Sequence, residues 1–258
     1  MYYFASDVHL GAGGKSESTR TERRFTAWLD EVSHDAKEIW LLGDIFDFWF
    51  EYRTVVPKGC VRTLCKLAEL SERGIRIVWL TGNHDMWMHD YLTEECGIEV
   101  FTKPVFAEIA GRRMFVAHGD NMQIKGKPML RLMNWGFRSR VIRFLFSWLV
   151  HPDLALMFGR WWSSQSRKSH KQDKSDELQE AANSKTDQKS ILEPLKRYAG
   201  ELGGTEGVEC CIFGHFHIAD DSMSGDTRVV FLGDWSKTPT YAKITDEGVI
   251  TLLTFDEQ

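Results

Sequence analysis

The chain has 258 residues, of which 43% are hydrophobic and 27% are charged, and its formal net charge is −5. This is the composition of a globular chain that can bury a large core, and its acidic balance argues against a general nucleic-acid binder. No run approaches the roughly 18 apolar residues that a membrane-spanning helix needs. The N-terminal residues 1–6 form a strand-like run without a basic region before it, so we expect no secretory signal.

The five cysteines form an odd set without CxxC spacing. They are Cys60, Cys65, Cys96, Cys210 and Cys211. This pattern disfavours a disulfide framework or a zinc knuckle. We therefore expect reduced, mostly buried thiols in the cytoplasm.

The first third of the chain alternates between apolar runs and segments with helical periodicity. The runs at residues 1–6, 38–42 and 75–80 predict strands, and residues 23–32 and 61–72 predict helices. Such alternation is typical of a sheet covered by helices, with functional loops at the carboxyl ends of the strands.

The rest of the chain contains more predicted strands and one different central region. Further strands are predicted at residues 99–101, 105–109, 113–117, 209–213, 228–232, 241–245 and 249–255. Between them, residues 129–133, 141–150 and 191–201 predict helices. We interpret residues 121–200 as a helical insertion over the strand-end loops, within a single domain that spans residues 1–258. This region is called the insertion below.

Five short polar signatures follow apolar, strand-like runs. In chain order they are Asp7-Val8-His9, Gly43-Asp44, Gly82-Asn83-His84-Asp85, His118-Gly119 and Gly214-His215-Phe216-His217. Alone, an Asp-x-His or His-x-His pair is commonly a chance feature of a surface or of the structure. Gly82-Asn83-His84-Asp85 alone is also consistent with a turn, since Asn and Asp favour turns. All five in order at strand ends favour a dinuclear metal hydrolase.

Seven side chains of these signatures mix carboxylate, amide and imidazole groups. They are Asp7, His9, Asp44, Asn83, His118, His215 and His217. This set suits manganese, iron, zinc or cobalt better than magnesium or calcium. Seven ligands are too many for one tetrahedral zinc, but they suit two metals that share a carboxylate. Such pairs lie about 3.5–4 Å apart and act on both oxygens of an in-line phosphoryl displacement.

The series of signatures resembles the calcineurin-like metallophosphoesterases. The resemblance implies an α/β fold, a four-layer α/β/β/α sandwich with its dinuclear site at the strand ends. One metal would be held by Asp7, His9, Asp44 and His217, and the other by Asp44, Asn83, His118 and His215, with Asp44 bridging. The resemblance also implies two catalytic residues: His84, which would stabilise the phosphate or protonate the leaving oxygen, and Asp85, which would orient His84. Water activated by the metals would be the nucleophile.

Longer stretches are similar to the UDP-2,3-diacylglucosamine pyrophosphatases of lipid A biosynthesis. These stretches are Phe46-Asp47-Phe48-Trp49, His118-Gly119-Asp120, Trp162-Ser163-Ser164-Gln165-Ser166-Arg167 and Leu232-Gly233-Asp234-Trp235. The similarity implies cleavage of a UDP-linked diacyl sugar to UMP and 2,3-diacylglucosamine 1-phosphate. It also implies two divalent metal ions, Mn²⁺ in this family, and a cytoplasmic enzyme that is peripherally associated with the inner membrane. Many members have arginine where this chain has His84.

The insertion is unusually basic and aromatic. Residues 121–172 contain ten basic residues and one acid, Asp153, which gives this stretch a net charge of +9. A basic amphipathic helix with Trp and Phe can lie on an anionic membrane. It can also enclose acyl chains while arginines meet a diphosphate, or its aromatic residues can simply pack onto the sandwich. Binding to single-stranded nucleic acid is the least favoured alternative, and we expect no nucleic-acid partner.

Six residues are candidates for contacts with substrate. They are Asn83, His84 and His215 at the strand ends, and Arg160, Ser164 and Arg167 in the insertion. A solvated helix face is the competing interpretation for the three insertion residues.

Two other functions stay open at this stage. One is a metallophosphoesterase of other specificity, such as a nucleotide phosphodiesterase or a protein phosphatase. The other is a metal-free scaffold that binds proteins; such scaffolds usually lose metal ligands, whereas all seven are present here.

Overall fold

The computed structural model describes residues 1–120, 139–159, 161, 191–236 and 238–256. Eleven strands lie within this part of the chain. They are β1 (Tyr2–Ala5), β2 (Glu38–Leu41), β3 (Arg76–Leu80), β4 (Glu99–Phe101), β5 (Val105–Ile109), β6 (Arg112–Ala117), β7 (Cys210–Phe213), β8 (Asp220–Ser224), β9 (Thr227–Phe231), β10 (Thr240–Ile244) and β11 (Ile250–Thr254). Sheet 1 has the order β11-β10-β1-β2-β3-β4, and sheet 2 has the order β5-β6-β7-β9-β8.

Helices cover the outer faces of both sheets, and another helix belongs to the insertion. They are α1 (Lys15–Val32), α2 (Val61–Glu72), α3 (Tyr91–Cys96), α4 (Arg140–Leu149) and α5 (Glu193–Glu206). Residues 152–159 are also helical. Among the described residues, none of the helices combines the length and the apolar character required to cross a bilayer.

Side chains that alternate along each strand build three hydrophobic layers. Phe4 and Trp40 of sheet 1 face sheet 2, where they join the cluster that contains Ile212. The opposite face of sheet 1 packs beneath α1, α2 and α3. The outer face of sheet 2 packs beneath α5, which contributes Leu195 and Leu202. This order of layers confirms the predicted α/β/β/α sandwich.

Parallel pairing brings the carboxyl ends of the central strands to one edge of each sheet. In sheet 1, β1, β2 and β3 run parallel, and in sheet 2, β6, β7 and β9 run parallel. Backbone hydrogen bonds join the loops that follow them. The N–H of Asp7 donates to the carbonyl of Gly43 at 3.1 Å, and the N–H of Gly214 donates to that of His118 at 3.0 Å. The five polar signatures therefore meet at one place between the sheets.

The predicted strands are confirmed to within one or two residues at each end, whereas the start of α1 is not. The helix begins at Lys15, eight residues before the predicted residue 23. Its first two turns are mostly exposed and carry no apolar stripe, so hydrophobic periodicity could not reveal them. The short helix α3 and the strand β8 were not predicted. Both are short, and β8 has the sequence Asp-Asp-Ser-Met-Ser, which contains a single apolar residue.

The insertion is described only in part. The predicted helix at residues 141–150 is confirmed by α4, while the predicted helix at residues 129–133 lies outside the described residues. The first half of α5 falls within residues 121–200, yet the helix packs on sheet 2 as the outer layer. The limits of the insertion remain a prediction. The five cysteines are free thiols, of which Cys65 is exposed and Cys60 is half-buried.

Candidate metal centre

Donor atoms from both sheets converge at the shared edge. Three groups of side chains have ligand atoms within 4.8 Å of one another: Asp7 with His9 and His217, His9 with Asp44 and His84, and Asp44 with His118 and His215. Neighbouring groups share His9 or Asp44, so the cluster is continuous. The amide of Asn83 lies beside it, with Oδ1 at 3.3 Å from Nε2 of His118. All seven predicted ligands are thus brought together.

The carboxylate of Asp7 is held by one oxygen and presents the other to the centre. Oδ2 accepts hydrogen bonds from the hydroxyl of Ser6 at 2.5 Å and from the N–H of His215 at 2.8 Å. Oδ1 lies 3.3 Å from Nε2 of His217 and 3.9 Å from Nε2 of His9. The loop after β7 therefore fixes the orientation of a carboxylate that follows β1.

The carboxylate of Asp44 lies between the two halves of the cluster. Oδ1 accepts the N–H of His84 at 2.8 Å, and Oδ2 lies 3.4 Å from Nε2 of His118. Gly82 lies directly against this carboxylate, because a Cβ at Gly82 would overlap Oδ1 of Asp44. The position is compatible with a carboxylate shared between two metals.

The residues fit a pair of divalent cations. Asp7 and Asp44 are 0% and 1% exposed, and Oδ1 of Asp7 accepts no hydrogen bond from the described residues. Burial by itself raises the pKa of both carboxyls, but His217 beside Asp7 and His118 beside Asp44 hold both pKa values below their ordinary value. Buried, ionised carboxylates together with imidazoles form a donor set for manganese, iron or zinc.

The pKa values of four histidines at the centre are shifted, two downward and two upward. Burial lowers the pKa of His9 and of His215 to about 3. In His118 burial is outweighed by Asp44, and in His217 it is outweighed by Asp7 and Asp234, so that both pKa values rise to about 10. The negative charge of the carboxylates thus favours protons on His118 and His217, and it would favour metal cations at the same positions.

The backbone of the centre is strained. Asp7, His9, Asp44, His215 and His217 all have positive φ, between 50° and 72°. A left-handed conformation costs a residue with a side chain about 1–2 kcal/mol. Of the described residues other than glycine, only Cys60 and Ala110 share this feature. Strain concentrated in this way is typical of a functional site, where the surrounding structure imposes it.

His84 and Asp85 have different surroundings from those expected. Nδ1 of His84 lies 2.8 Å from the carbonyl oxygen of Asp47, so Nδ1 carries the hydrogen and donates, and Nε2 is left for the cleft. Asp85 is fully buried and accepts the N–H groups of Gly82 at 2.7 Å and Ile45 at 3.0 Å. Burial, with Asp44 nearby, raises the pKa of Asp85 to about 7.

The expected orienting role of Asp85 is therefore corrected. The carbonyl of Asp47 holds the ring of His84, and Asp85 instead ties the Gly43-Asp44 loop to the Gly82-Asn83 loop. The physical reason is burial: Asp85 lies inside the protein beneath these loops, while His84 is half-buried at the cleft.

An apolar cleft of about 70 Å³ opens beside His84. Its wall includes Trp49, Trp87 and Phe146, the last of which belongs to α4. The ring of Phe146 lies 5.1 Å from that of Trp87 and 5.2 Å from that of Phe50. These contacts dock part of the insertion onto the metal-centre loops.

The three substrate candidates of the insertion, Arg160, Ser164 and Arg167, lie outside the described residues. Their assignment remains a prediction. Asn83, His84 and His215, the other three candidates, all border the metal cluster.

Sequence reasoning missed three residues that support the centre. Ser6 donates to Asp7, Oδ1 of Asp47 lies 3.6 Å from Nδ1 of His9, and Oδ2 of Asp234 lies 3.5 Å from Nδ1 of His217. A signal was present, since each residue stands near the end of a predicted strand close to a glycine or a ligand. Which histidine each carboxylate would meet depended on the tertiary fold.

Comparison with known proteins agrees with this geometry. The model of the calcineurin-like phosphoesterase family matches residues 2–219. The chain belongs to the calcineurin-like phosphoesterase family. The match includes all five polar signatures and ends shortly after His217, so the strand-end cluster lies within the region that defines the family.

Curated relatives of this phosphoesterase resemble it over nearly their whole length. It is 38% identical to the UDP-2,3-diacylglucosamine hydrolase of Porphyromonas gingivalis, an alignment that covers 93% of this chain and 92% of the relative. It is 27% identical to the protein of the same name from Haemophilus influenzae, with 94% and 92% covered. It is 24% identical to that of Hahella chejuensis, with 95% and 93% covered.

Gly82→Ala tests the link between the phosphoesterase loops and metal binding. The added Cβ would overlap Oδ1 of Asp44 and lie 2.6 Å from its backbone nitrogen, so the carboxylate must move. We expect the affinity for Mn²⁺ to fall about 10–100-fold, as measured by isothermal titration calorimetry. Gly204→Ala is the matched control, because a Cβ there meets nothing within 4 Å. Unchanged affinity in Gly82→Ala would contradict the assigned position of Asp44.

Proposed function

We propose that this protein hydrolyses the diphosphate of UDP-2,3-diacylglucosamine to UMP and 2,3-diacylglucosamine 1-phosphate, a step of lipid A biosynthesis. The observation that carries the proposal is the 38% identity, over 93% of the chain, to a hydrolase named for this substrate. The cluster of carboxylates and imidazoles at the strand ends supports it, since such groups can hold the divalent metal ions that promote phosphoryl transfer.

The proposed cofactors are two Mn²⁺ ions. The ligands would be Asp7, His9, Asp44 and His217 for one ion, and Asp44, Asn83, His118 and His215 for the other. When bound, a pair of divalent ions supplies positive charge to phosphate oxygens and lowers the pKa of water toward neutrality. The chain supports this role by burying Asp7 and Asp44 in a fixed orientation.

The proposed catalytic side chain is His84. Its Nδ1 donates to the carbonyl of Asp47, which fixes the plane of the ring and leaves Nε2 toward the cleft. A ligand atom of His84 lies within 4.8 Å of His9 and Asp44. From there Nε2 can donate a hydrogen bond to a phosphate oxygen or give a proton to the leaving group when the ring is an imidazolium, with hydrogens on both nitrogens. Asp85 acts indirectly, by holding the loops of Asp44 and Asn83 together.

The apolar cleft supports a lipid-linked substrate. Trp49, Phe50, Trp87 and Phe146 line it, and it begins at Asn83 and His84 of the metal-centre loops. A diphosphate at the metal ions would thus have an apolar surface beside it for an acyl chain. Burial of such a chain is favourable by about 0.8 kcal/mol per methylene group.

The first test is the hydrolysis of UDP-2,3-diacylglucosamine, followed through the release of UMP. We expect efficient release with Mn²⁺, loss of activity after treatment with EDTA, and recovery when Mn²⁺ is restored, because the ligands hold the ions reversibly. Bis-p-nitrophenyl phosphate serves as a soluble diester for comparison. If it is hydrolysed while UMP is not released, the enzyme is a phosphoesterase of another specificity. If no phosphate ester is hydrolysed, the scaffold hypothesis replaces both.

His84→Ala tests the catalytic assignment. We expect kcat for UMP release to fall by about 10²–10⁴-fold, while the affinity for Mn²⁺ measured by calorimetry is unchanged. His89→Ala is the matched control, because His89 is exposed in the following loop and its backbone N–H, which donates to Glu51, is retained in the variant. Loss of Mn²⁺ binding in His84→Ala would make His84 a metal ligand instead.

We also propose that the enzyme is cytoplasmic and that its insertion binds the anionic surface of the inner membrane. Along α4, exposed apolar side chains recur at helical spacing, with Val141 66%, Phe144 65% and Trp148 76% exposed. The following helix continues the pattern with Met157 and Trp161 at 65% and 55%. The sequence around these helices is strongly basic, which favours an anionic bilayer as the occupant of this surface.

Co-sedimentation with vesicles that contain an anionic lipid tests this surface. Trp148→Ala should weaken binding by about 10- to 100-fold, since burial of a large apolar side chain contributes about 1.5–3 kcal/mol. Added salt should weaken binding as well. Met223→Ala is the control, because Met223 is 60% exposed but lies on β8, in sheet 2. Equal binding by both variants, or none by the unaltered protein, would contradict a membrane-bound insertion.

A further inference from the structure

Exposed basic residues are concentrated in the first half of α1, at the start of α2 and in the loop that precedes α2. They are Lys15, Arg20, Arg23, Arg53, Lys58 and Arg62, and they are called the basic rim below. Residues 11–29 and 52–66 together contain eight basic residues and two acids. One of the acids, Glu22, is buried and lies 3.3 Å from the guanidinium group of Arg62. The exposed charge here is therefore positive, although the whole chain has a net charge of −5.

The two helices begin on the side of the molecule that carries the metal centre. α1 follows the loop of the first polar signature, and α2 follows the loop of the second. Near their starts, Oε1 of Glu22 accepts the backbone N–H of Arg62 at 3.0 Å. Further along, Nζ of Lys66 lies 2.8 Å from Oδ1 of Asp30. The helices are therefore parallel, and the basic rim lies at the edge where the strands end.

The charges on α1 and α2 are distributed against the helix dipole. The dipole favours acidic residues in the first turn of a helix and basic residues in the last. Neither helix has a basic residue in its last turn, and the first turns contain a single acid in α1 and none in α2. Instead, the last turns contain Asp30 and Glu31 in α1, and Glu69 and Glu72 in α2. Helix stability does not account for this arrangement, which indicates a functional reason for positive charge at the metal-centre edge.

The basic rim adjoins the insertion. The hydroxyl of Tyr52 donates to the carbonyl of Val150, the residue after α4, at 3.0 Å, and so brings the turn that contains Arg53 to the end of this helix. Lys58 lines a small cavity together with Leu156 of the following helix. The positive charge of the basic rim therefore continues into the surface on which α4 exposes its apolar side chains.

We propose that the basic rim is a second membrane-contact surface, which binds anionic phospholipid headgroups while α4 enters the bilayer interface. An anionic bilayer fits both parts, since basic residues attract anionic lipids and exposed apolar side chains enter the interface. Contact through α4 alone leaves the enzyme free to tilt, and the second contact fixes its orientation. The cleft beside His84 is lined both by Phe146 of α4 and by Phe48 of the loop before α2, so the two contacts hold this cleft toward the bilayer. This inference rests on the membrane-bound insertion of the proposed function.

Arg20→Gln combined with Arg23→Gln tests the basic rim. Within the described part of the chain, neither guanidinium group forms an ion pair or a hydrogen bond, so the double variant removes charge without breaking a contact. Co-sedimentation with vesicles of phosphatidylglycerol and phosphatidylcholine should show binding about 10–30-fold weaker, since each basic residue near an anionic surface contributes roughly a fivefold factor. The dependence of binding on salt concentration should also become shallower. Binding to vesicles of phosphatidylcholine alone should not change.

Arg112→Gln combined with Arg113→Gln is the matched control. It removes two exposed arginines from the amino end of β6, opposite the edge where the strands end. The net charge of this control equals that of the rim variant, yet its binding to the anionic vesicles should match that of the unaltered protein. Trp148→Ala, which alters the contact through α4, should weaken binding but retain the full dependence on salt.

The turnover of UDP-2,3-diacylglucosamine in two forms tests the orientation. With the substrate in anionic vesicles, the rim variant should have a higher KM than the unaltered protein. With the substrate in micelles of a nonionic detergent, both KM and kcat should be unchanged, because the metal centre is intact and no charged surface is present. The control variant should resemble the unaltered protein in both forms.

Several outcomes would overturn the inference. They are unchanged vesicle binding by the rim variant, equal weakening in the rim variant and the control, and a lower kcat of the rim variant in detergent, which would make these arginines part of the active site. If the unaltered protein releases UMP in detergent but does not bind anionic vesicles, the inference fails and the hydrolase remains. If it binds vesicles but releases no UMP, the proposed activity fails, and the binding data alone decide the inference. If circular dichroism shows that the rim variant does not fold, Arg53→Gln combined with Lys58→Gln, in the loop before α2, takes its place.

Discussion

Two carboxylates buried side by side, Asp7 and Asp44, impose the main constraint on this structure. They are 0% and 1% exposed, and removing an ion from water costs several kcal/mol unless other groups compensate. The compensation comes from backbone N–H groups of His215 and His84, from the hydroxyl of Ser6 and from the surrounding imidazoles. Gly82 lets its loop approach the carboxylate of Asp44 closely, and the left-handed backbone of the ligand residues directs their side chains toward the two carboxylates.

Much of the fold and the composition of the centre could be predicted from the sequence, because both depend on local patterns. The strands were located from apolar runs, whether continuous or alternating with polar residues. The ligands were located from the polar signatures that follow five of these runs. Parallel strands place their carboxyl ends at one edge, so residues as distant as Asp7 and His215 could be expected together. The alternation predicted only a sheet covered by helices, and the order of the four layers was implied by the resemblance to a known family.

The interactions behind the ligands could not be predicted, because they join residues that are distant in sequence and depend on side-chain direction. The carboxylate of Asp234, which follows β9, lies beside His217. The carboxylate of Asp47 lies beside His9, and its backbone carbonyl accepts a hydrogen bond from His84. Asp85, next to His84 in the sequence, instead accepts backbone N–H groups of Ile45 and Gly82. Adjacency in sequence was thus a poor guide to which group orients which.

The place of β1 in sheet 1 has a consequence for the order in which the protein is made. β1 lies between β2 and β10, and Tyr2 pairs with Ile244. A growing chain therefore carries Asp7 and Asp44 long before His215 and the last strand partners exist. Contacts between residues so far apart form slowly, since the intervening chain must be ordered first. We therefore expect the complete metal centre to form late in folding, because its ligands come together only after both sheets have assembled.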